Sequence, residues 1–284
     1  MTVAFATFAA MPEGNAELPL LREALRSGFG IESAVTRWDD PLADWSAHEL
    51  VVIRSTWDYT TRLEEFLGWA RAVPRLANPV DVVRWNTDKR YLRDLAEAGV
   101  PVVPTLWDPA DLPSRWPDLV IKPAVSAGAR GTARWGPSQR ERARAHLREL
   151  LGDGETVMVQ PYLTGIDTEG ETALLFFDGE FSHAARKGPI LAEGTGVAEE
   201  PRGGDMSPAT AAPEQLAVAR RALAAVPHGA DLLYARVDLV PGPDGTPVVL
   251  ELELTEPDLF LDHAPGSADR FARAIAARVT GASA

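Results

Sequence analysis

The stretch from Leu233 to Pro257 constrains this chain more than any other. It reads Leu233-Tyr-Ala-Arg236-Val-Asp238-Leu-Val, a Pro/Gly/Asp turn, then Pro247-Val-Val-Leu-Glu251-Leu-Glu253-Leu-Thr-Glu256-Pro. Aliphatic and β-branched residues on both arms, bounded by Pro-Gly-Pro-Asp-Gly-Thr, predict two strands joined as a hairpin. Side chains alternate faces along a strand, so Glu251 and Glu253 point the same way, as do Arg236 and Asp238. With the turn centred near Asp244, Asp238 falls opposite Glu251 or its immediate neighbour. Three carboxylates and an arginine are thereby gathered on one face of an otherwise apolar ribbon. Carboxylates so close repel, and burying them is costly unless cations compensate. A hard divalent ion is one such compensation, and Mg²⁺ takes one or two carboxylates together with substrate phosphates. On that reading, removing a carboxylate relieves repulsion and leaves the metal-free protein at least as stable. A solvated face of an antiparallel sheet also meets the spacing.

The 284 residues suffice for two or three layered units, and 45% hydrophobic with 24% charged residues is ordinary for a soluble globular protein. A net charge of −13 argues against general binding to nucleic acid or anionic membranes, which need basic surface. Nucleotides remain open, since a few local cations and a metal hold them. The sequence has no cysteine, which excludes disulfides, thiolate metal sites and a Cys nucleophile. The apolar start, Met1-Thr-Val-Ala-Phe-Ala-Thr-Phe-Ala-Ala, lacks a basic region and meets Glu13 and Glu17 at once, so it reads as a strand rather than a signal peptide. No apolar run approaches membrane-spanning length, and a cytoplasmic protein is expected.

Residues 1 to about 84 read as a small α/β unit. Val3–Phe8 and Glu49–Ile53 are strands; Leu18–Ser27 and Leu63–Val73 are helices, the first ending at Gly28. Strand–helix alternation implies a mostly parallel sheet with ligands near the carboxyl ends of its strands. One such end is Ile53-Arg54-Ser55-Thr56-Trp57-Asp58-Tyr59. Arg54 suits a substrate carboxylate, with Trp57 and Asp58 in the pocket wall. An Arg54–Asp58 pair bracing Trp57 in the core fits the segment as well. Next, Asn86 or Thr87 is expected to cap a helix carrying Tyr91, Leu92 and Leu95 and stopped by Gly99. Lys89 would then stand in a first turn, where the helix dipole disfavours a cation and a phosphate would favour one.

In the middle segment, Leu119-Val-Ile121-Lys122-Pro123 is a short strand followed by the small-residue loop Ala-Val-Ser126-Ala-Gly128-Ala-Arg130-Gly131-Thr132. Such loops let backbone N–H groups approach phosphate oxygens, and Lys122 would reach the same anion. The pattern is neither a Walker A loop nor a dinucleotide fingerprint. Gly136–Leu151 is predicted to be an exposed helix, and Thr156–Leu163 a strand running into a linker. A hairpin follows over Glu171–Phe177 and Glu180–Ala185 around Asp178-Gly179, leading to Lys187. Residues 190–213 are rich in Gly, Pro and Glu and long for a loop, as a mobile or substrate-covering segment would be. Helices are expected near Gln215–Ala225 and Ser267–Val279.

In order, these elements resemble the ATP-grasp superfamily of carboxylate–amine ligases, and the likeness covers nearly the whole chain. The resemblance implies an α/β (α+β) fold in three parts. These are an N-terminal substrate domain over 1–84, a central lid with its linker helix over 85–160, and a C-terminal unit carrying the metal site over 161–284. It further implies that Lys89 and Lys122 contact ATP phosphates beside Ser126, Gly128 and Gly131. Gln160, Pro161, Tyr162 and Leu163 would form the hinge that reads adenine, with Asp167 towards the ribose. Asp238, Glu251 and Glu253 would hold magnesium, as two ions, with Mn²⁺ as a substitute. Many relatives carry Asn where Glu253 stands; Glu253 keeps an oxygen ligand and adds charge.

Arg54-Ser-Thr-Trp57-Asp58-Tyr59, Trp85-Asn86-Thr-Asp-Lys89, Lys187 and Glu251-Leu-Glu253-Leu-Thr-Glu256-Pro-Asp-Leu-Phe are similar to the branch containing D-cycloserine synthetase, which closes the ring of O-ureidoserine with ATP. That likeness implies an ADP-forming ligase for a small amino-acid-like substrate, held by Arg54, Trp57, Asp58 and Lys187, with Arg236 and Lys187 as catalytic cations. The assembly it allows is a homodimer, without nucleic acid or membrane. His183 and His263 are expected in structural or rim positions. Two other classes fit the same residues. An ATP-binding module without chemistry would dispense with intact carboxylates and lysines, and a metal-dependent hydrolase would call for a His cluster with ligand spacing.

Overall fold

The computed structural model describes residues 1–191, 196–198, 205–227 and 231–281. The first unit comprises β1 (Thr2–Thr7), α1 (Leu18–Phe29), β2 (Glu32–Arg37), β3 (Leu50–Ser55), α2 (Leu63–Ala72) and β4 (Leu76–Ala77). Its sheet runs β2-β1-β3-β4 with every pair parallel, as strand–helix alternation predicts. Two short helices follow, α3 (Val80–Asn86) and α4 (Tyr91–Glu97). The central sheet, ordered β5-β8-β6-β7 and antiparallel, is built from β5 (Leu106–Trp107), β6 (Leu119–Pro123), β7 (Ala133–Trp135) and β8 (Val157–Pro161), with α5 (Arg140–Gly152) packed on it. After α6 (Gly165–Glu169) come β9 (Glu171–Phe177), β10 (Glu180–Lys187), β11 (Met206–Ala209), α7 (Pro213–Ala224), β12 (Tyr234–Pro241), β13 (Pro247–Glu253) and α8 (Ser267–Thr280). Their antiparallel sheet is ordered β11-β10-β9-β12-β13.

From Ala173 to Phe177, β9 in the middle of the third sheet is apolar on both faces, and both are covered. Ala173, Leu175 and Phe177 of β9 join a core with Phe271 and Ile275 of α8, with α1, and with Val3 and Phe5 of β1. Leu174 and Phe176 face the other way into a second core with α4, α7, Val237 and Leu239. Continuous apolar runs, rather than alternation, are what such a strand requires. In that core α4 also meets the central sheet, through Met158 of β8 and Trp107 of β5, over whose ring Arg93 lies at 4.7 Å.

Several local expectations shift. α1 runs through Gly28 and stops at Gly30, whose φ of 63° supplies the left-handed cap. β2 has no counterpart in the sequence reading; as an edge strand it is only partly buried, so its apolar pattern is weak. Asn86 ends a helix instead of starting one, and Lys89 stands in the connection between α3 and α4 rather than in a helical first turn. The Asp178-Gly179 turn is as expected, both residues having positive φ of 51° and 79°. Within 190–213, Met206–Ala209 pairs with the edge of β10. Of the segment for which a mobile or covering role is expected, 192–195 and 199–204 lie outside the described residues.

His183 is buried on β10, with Nε2 2.9 Å from the Leu259 carbonyl and Nδ1 2.9 Å from Ser182 Oγ. Burial holds its pKa down to about 4, against about 6.5 when exposed. The unfolded chain therefore takes up a proton that the folded one refuses. The stability from neutral His183 is complete above pH 6.5 and is lost as pH falls towards 4. Between about pH 7.5 and 5, His183→Gln is expected to lose less stability than the wild type, by on the order of 2 kcal/mol. Urea melts at the two pH values read this, and parallel losses would place His183 in solvent contact.

Candidate active site

A cavity of about 770 Å³ opens where the three sheets meet. The first unit contributes Phe8 and the turn Trp57–Thr61; the central sheet contributes Lys122, the small-residue loop and Gln160–Leu163; the third contributes Lys187, Arg236, Glu251 and Glu253. Hairpin register creates the charged wall: Asp238 pairs with Glu251 and Arg236 with Glu253 across β12 and β13. Ligating oxygens of Asp238, Glu251 and Glu253 lie within 4.8 Å of one another.

The carboxylates are not left to repel. Arg236 donates through Nε to Asp238 Oδ1 at 3.0 Å, through Nη2 to Asp238 Oδ2 at 3.0 Å, and also pairs with Glu253. Lys187 donates to Asp238 Oδ2 at 2.7 Å and pairs with Glu171. Lys89 Nζ lies 3.1 Å from Glu251 Oε1 and donates to the Ser126 carbonyl at 2.6 Å. Burial opposes the charge on Asp238, yet Arg236 and Lys187 hold its carboxyl well below the usual range. Against the same burial, Lys89 and Lys122 keep Glu251 low. Glu253 is pushed up to about 8 by burial, against the pull of Arg236 and with Glu251 and Asp238 adding to the rise. Burial also draws Lys122 down to about 8, although Glu251 opposes the shift. Lys122 is buried and has no ion-pair partner within 4.0 Å among the described residues.

The expected residues divide clearly. Lys89, Lys122, Ser126, Gly128, Trp57 and Asp58 line the cavity with Gln160, Pro161, Tyr162 and Leu163 and with Lys187, Arg236, Glu251 and Glu253. Gly131 lies behind the loop: its φ is 69°, and a Cβ there would meet the Pro123 ring at 3.1 Å, so only glycine lets the loop fold back on β6. Asp238 is fully buried behind the wall, so it faces cations and not the cavity. Asp167 is not part of the wall; its carboxylate accepts from the Tyr162 hydroxyl at 2.6 Å and lies 3.4 Å from Arg134.

Arg54 is the clear correction. Only 1% exposed, it pairs with Glu17 and donates to the Pro257 carbonyl at 2.9 Å, away from the cavity. Nor does it pair with Asp58, which binds Arg62 at 3.2 Å and accepts from Trp38 Nε1 at 2.8 Å.

Over 282 residues the chain is 42% identical to the cycloserine biosynthesis protein DcsG of Streptomyces lavendulae, covering 93% of this chain and 94% of that protein. The chain belongs to the DcsG family. Residues 3–78 match the family described as D-cycloserine synthetase DcsG, N-terminal domain. The crystal structure of D-cycloserine synthetase DcsG superposes with a TM-score of 0.88 at 38% identity, over 98% of this chain and all of that one. A D-alanine–D-alanine ligase from Bacillus anthracis shares the fold at 14% identity, with a TM-score of 0.65 over 99% and 96% of the two chains. This member of the DcsG family is therefore a ligase of the ATP-grasp fold, as the order of sequence elements implies.

The oxygen-only donor set of this DcsG-family chain fits a hard divalent ion, with Glu251 and Glu253 open to the cavity and Asp238 reachable only by displacing Arg236 or Lys187. Sequence reasoning missed three contributors. Asn86 acts as a surrogate strand, its Nδ2 donating to the Leu252 carbonyl and its Oδ1 accepting from Leu254 N–H, both at 2.7 Å. Glu171 backs Lys187. Glu256, buried on the wall, is raised to about 7 by its burial, with Lys89 opposing. Two of the three left a trace in the sequence, Asn86 in Trp85-Asn86-Thr-Asp-Lys89 and Glu256 as the third acid of the Glu251-Leu-Glu253-Leu-Thr-Glu256 run.

Proposed function

We propose that this chain is an ADP-forming ligase that activates the carboxylate of a small amino-acid-like molecule as an acyl phosphate for capture by an amine. The relationship to D-cycloserine synthetase favours ring closure within one molecule of the O-ureidoserine type. The observation that carries the reading is a single cavity wall where Lys89, Lys122, Lys187 and Arg236 converge on Glu251 and Glu253. Cations gathered around oxygen ligands suit a polyphosphate and its metal, and no covalent enzyme intermediate is needed.

ATP lies between the central unit, 85–160, and the C-terminal unit, 161–284, with the substrate towards 1–84. The hinge Gln160–Leu163 faces adenine, and the loop at Ser126 and Gly128 covers the phosphates. Buried Lys122 regains full charge against a phosphate, and Lys89 bridges that phosphate to Glu251. Magnesium, when bound at Glu251 and Glu253, supplies charge neutralisation at the transferring phosphoryl group. Lys187 and Arg236 orient the substrate carboxylate, whose oxygen attacks the γ-phosphorus as ADP leaves. The amine nitrogen then attacks the acyl carbon, phosphate departs, and the amine proton passes to solvent or phosphate. Holding both ends of one molecule in a dry cavity is a proximity effect worth roughly 7–11 kcal/mol in favourable cases.

ADP release with O-ureido-D-serine, and with a panel of amino-acid-derived carboxylates, tests the proposal. Mg²⁺ with ATP is expected to raise the melting temperature clearly, and ATP alone only slightly, because Glu251 and Glu253 otherwise repel the triphosphate. No shift with either overturns nucleotide binding, and a shift without ADP formation from any carboxylate overturns the ligase assignment of this cavity.

A further inference from the structure

Beyond β13 the chain is fastened residue by residue. The Tyr234 hydroxyl donates to the Thr255 carbonyl at 2.8 Å, Trp57 Nε1 to that of Glu256 at 3.3 Å, Arg54 to that of Pro257 at 2.9 Å, and Arg236 to that of Asp258 at 3.0 Å. Glu17 accepts from Leu259 N–H at 2.9 Å and Leu261 N–H at 3.1 Å. A backbone held so densely fixes where its side chains emerge, and both Glu256 and Asp258 emerge on the cavity wall.

Most other acids on that wall already have cations. Glu171 has Lys187, Glu251 has Lys89, Glu253 has Arg236 and Asp58 has Arg62. Glu256 and Asp258 have no cationic partner within 4.0 Å among the described residues. Glu256 is 8% exposed and lies close to the buried, neutral Tyr59 phenol, while Asp258 accepts from Asn15 Nδ2 at 2.7 Å. A carboxylate buried this far calls for a positive charge. A phosphate would be repelled here, and Glu256 does not belong to the metal-ligand cluster. Trp57, an aromatic residue of the kind that also attracts a cation, lines the same wall, whereas the Phe260 ring already lies under the Arg236 guanidinium at 5.2 Å.

We propose that Glu256, with Asp258 beside it, anchors the primary ammonium group of the substrate. This rests on the ligase reading and deepens it: the substrate enters as a zwitterion, its ammonium at Glu256 and its carboxylate towards Lys187 and Arg236. Glu256 is then the residue that selects amino acids over plain carboxylic acids.

The test compares D-serine with 3-hydroxypropanoate, which differ by the amino group, as ligands of the full chain preloaded with Mg²⁺ and a non-hydrolysable ATP analogue. Calorimetry should show D-serine binding more tightly to the wild type. Glu256→Gln, which keeps the shape of the side chain and removes its charge, should weaken D-serine roughly 10- to 100-fold and leave 3-hydroxypropanoate and the nucleotide unchanged. Asp258→Asn should show a smaller loss of the same kind. An equal preference for D-serine in wild type and Glu256→Gln overturns the assignment, as does the absence of any preference or of binding in the wild type. Retained ammonium preference without ADP formation from any carboxylate would instead sink the ligase reading and leave this anchor standing.

Discussion

Asp238→Asn is expected to cost roughly 3–5 kcal/mol of stability along with turnover, whereas Glu251→Gln loses turnover and changes stability by only about 1 kcal/mol. The difference lies in what each carboxylate faces. Asp238 is fully buried and neutralises both Arg236 and Lys187. Its removal leaves two buried cations with too little negative charge between them. Glu251 is partly open to the cavity and pairs with Lys89, which keeps the Ser126 carbonyl when the acid is gone. Its loss removes an oxygen proposed to hold magnesium, and a drop in kcat of about 10²-fold or more is expected. Urea melts and ADP release on the two variants read the contrast. An Asp238→Asn protein as stable as wild type would restore the sequence-based picture, in which unrelieved repulsion makes the metal-free cluster a liability.

Arg54→Met is expected to destabilise the protein by roughly 3–5 kcal/mol and to leave the substrate KM of the folded enzyme unchanged. Arg54 and Glu17 form a buried pair, and Glu17 also holds the backbone at Leu259 and Leu261. Truncating either partner strands the other without compensation. The double variant Glu17→Leu/Arg54→Met should recover part of the loss, since the two effects are coupled and not additive. A variant of unchanged stability with a strongly raised KM would return Arg54 to the substrate pocket.

The hairpin was legible because strand periodicity is local: alternate residues share a face, and the turn fixes the register that brings Asp238 opposite Glu251. The same holds for the lysine strand and the small-residue loop. Arg54 was misread because its partner sits on a different element with no periodic relation to it. Lys89 was misplaced because Asn86 looks like a helix cap to its neighbours, while its amide is committed to two residues of the distant third sheet. Glu256 went without a role because only the bonds that fasten its segment show that it lacks a cation.

The first sheet does not finish its own core. Val3 and Phe5 of β1 pack with α1 and with Phe271 and Ile275 of α8, which lies at the far end of the chain. A ribosome delivers β1 and α1 long before α8, so the core they begin stays open through most of synthesis. Order of manufacture and order of burial therefore run in opposite directions, and the nascent chain must carry the unfinished apolar side of α1 until α8 arrives.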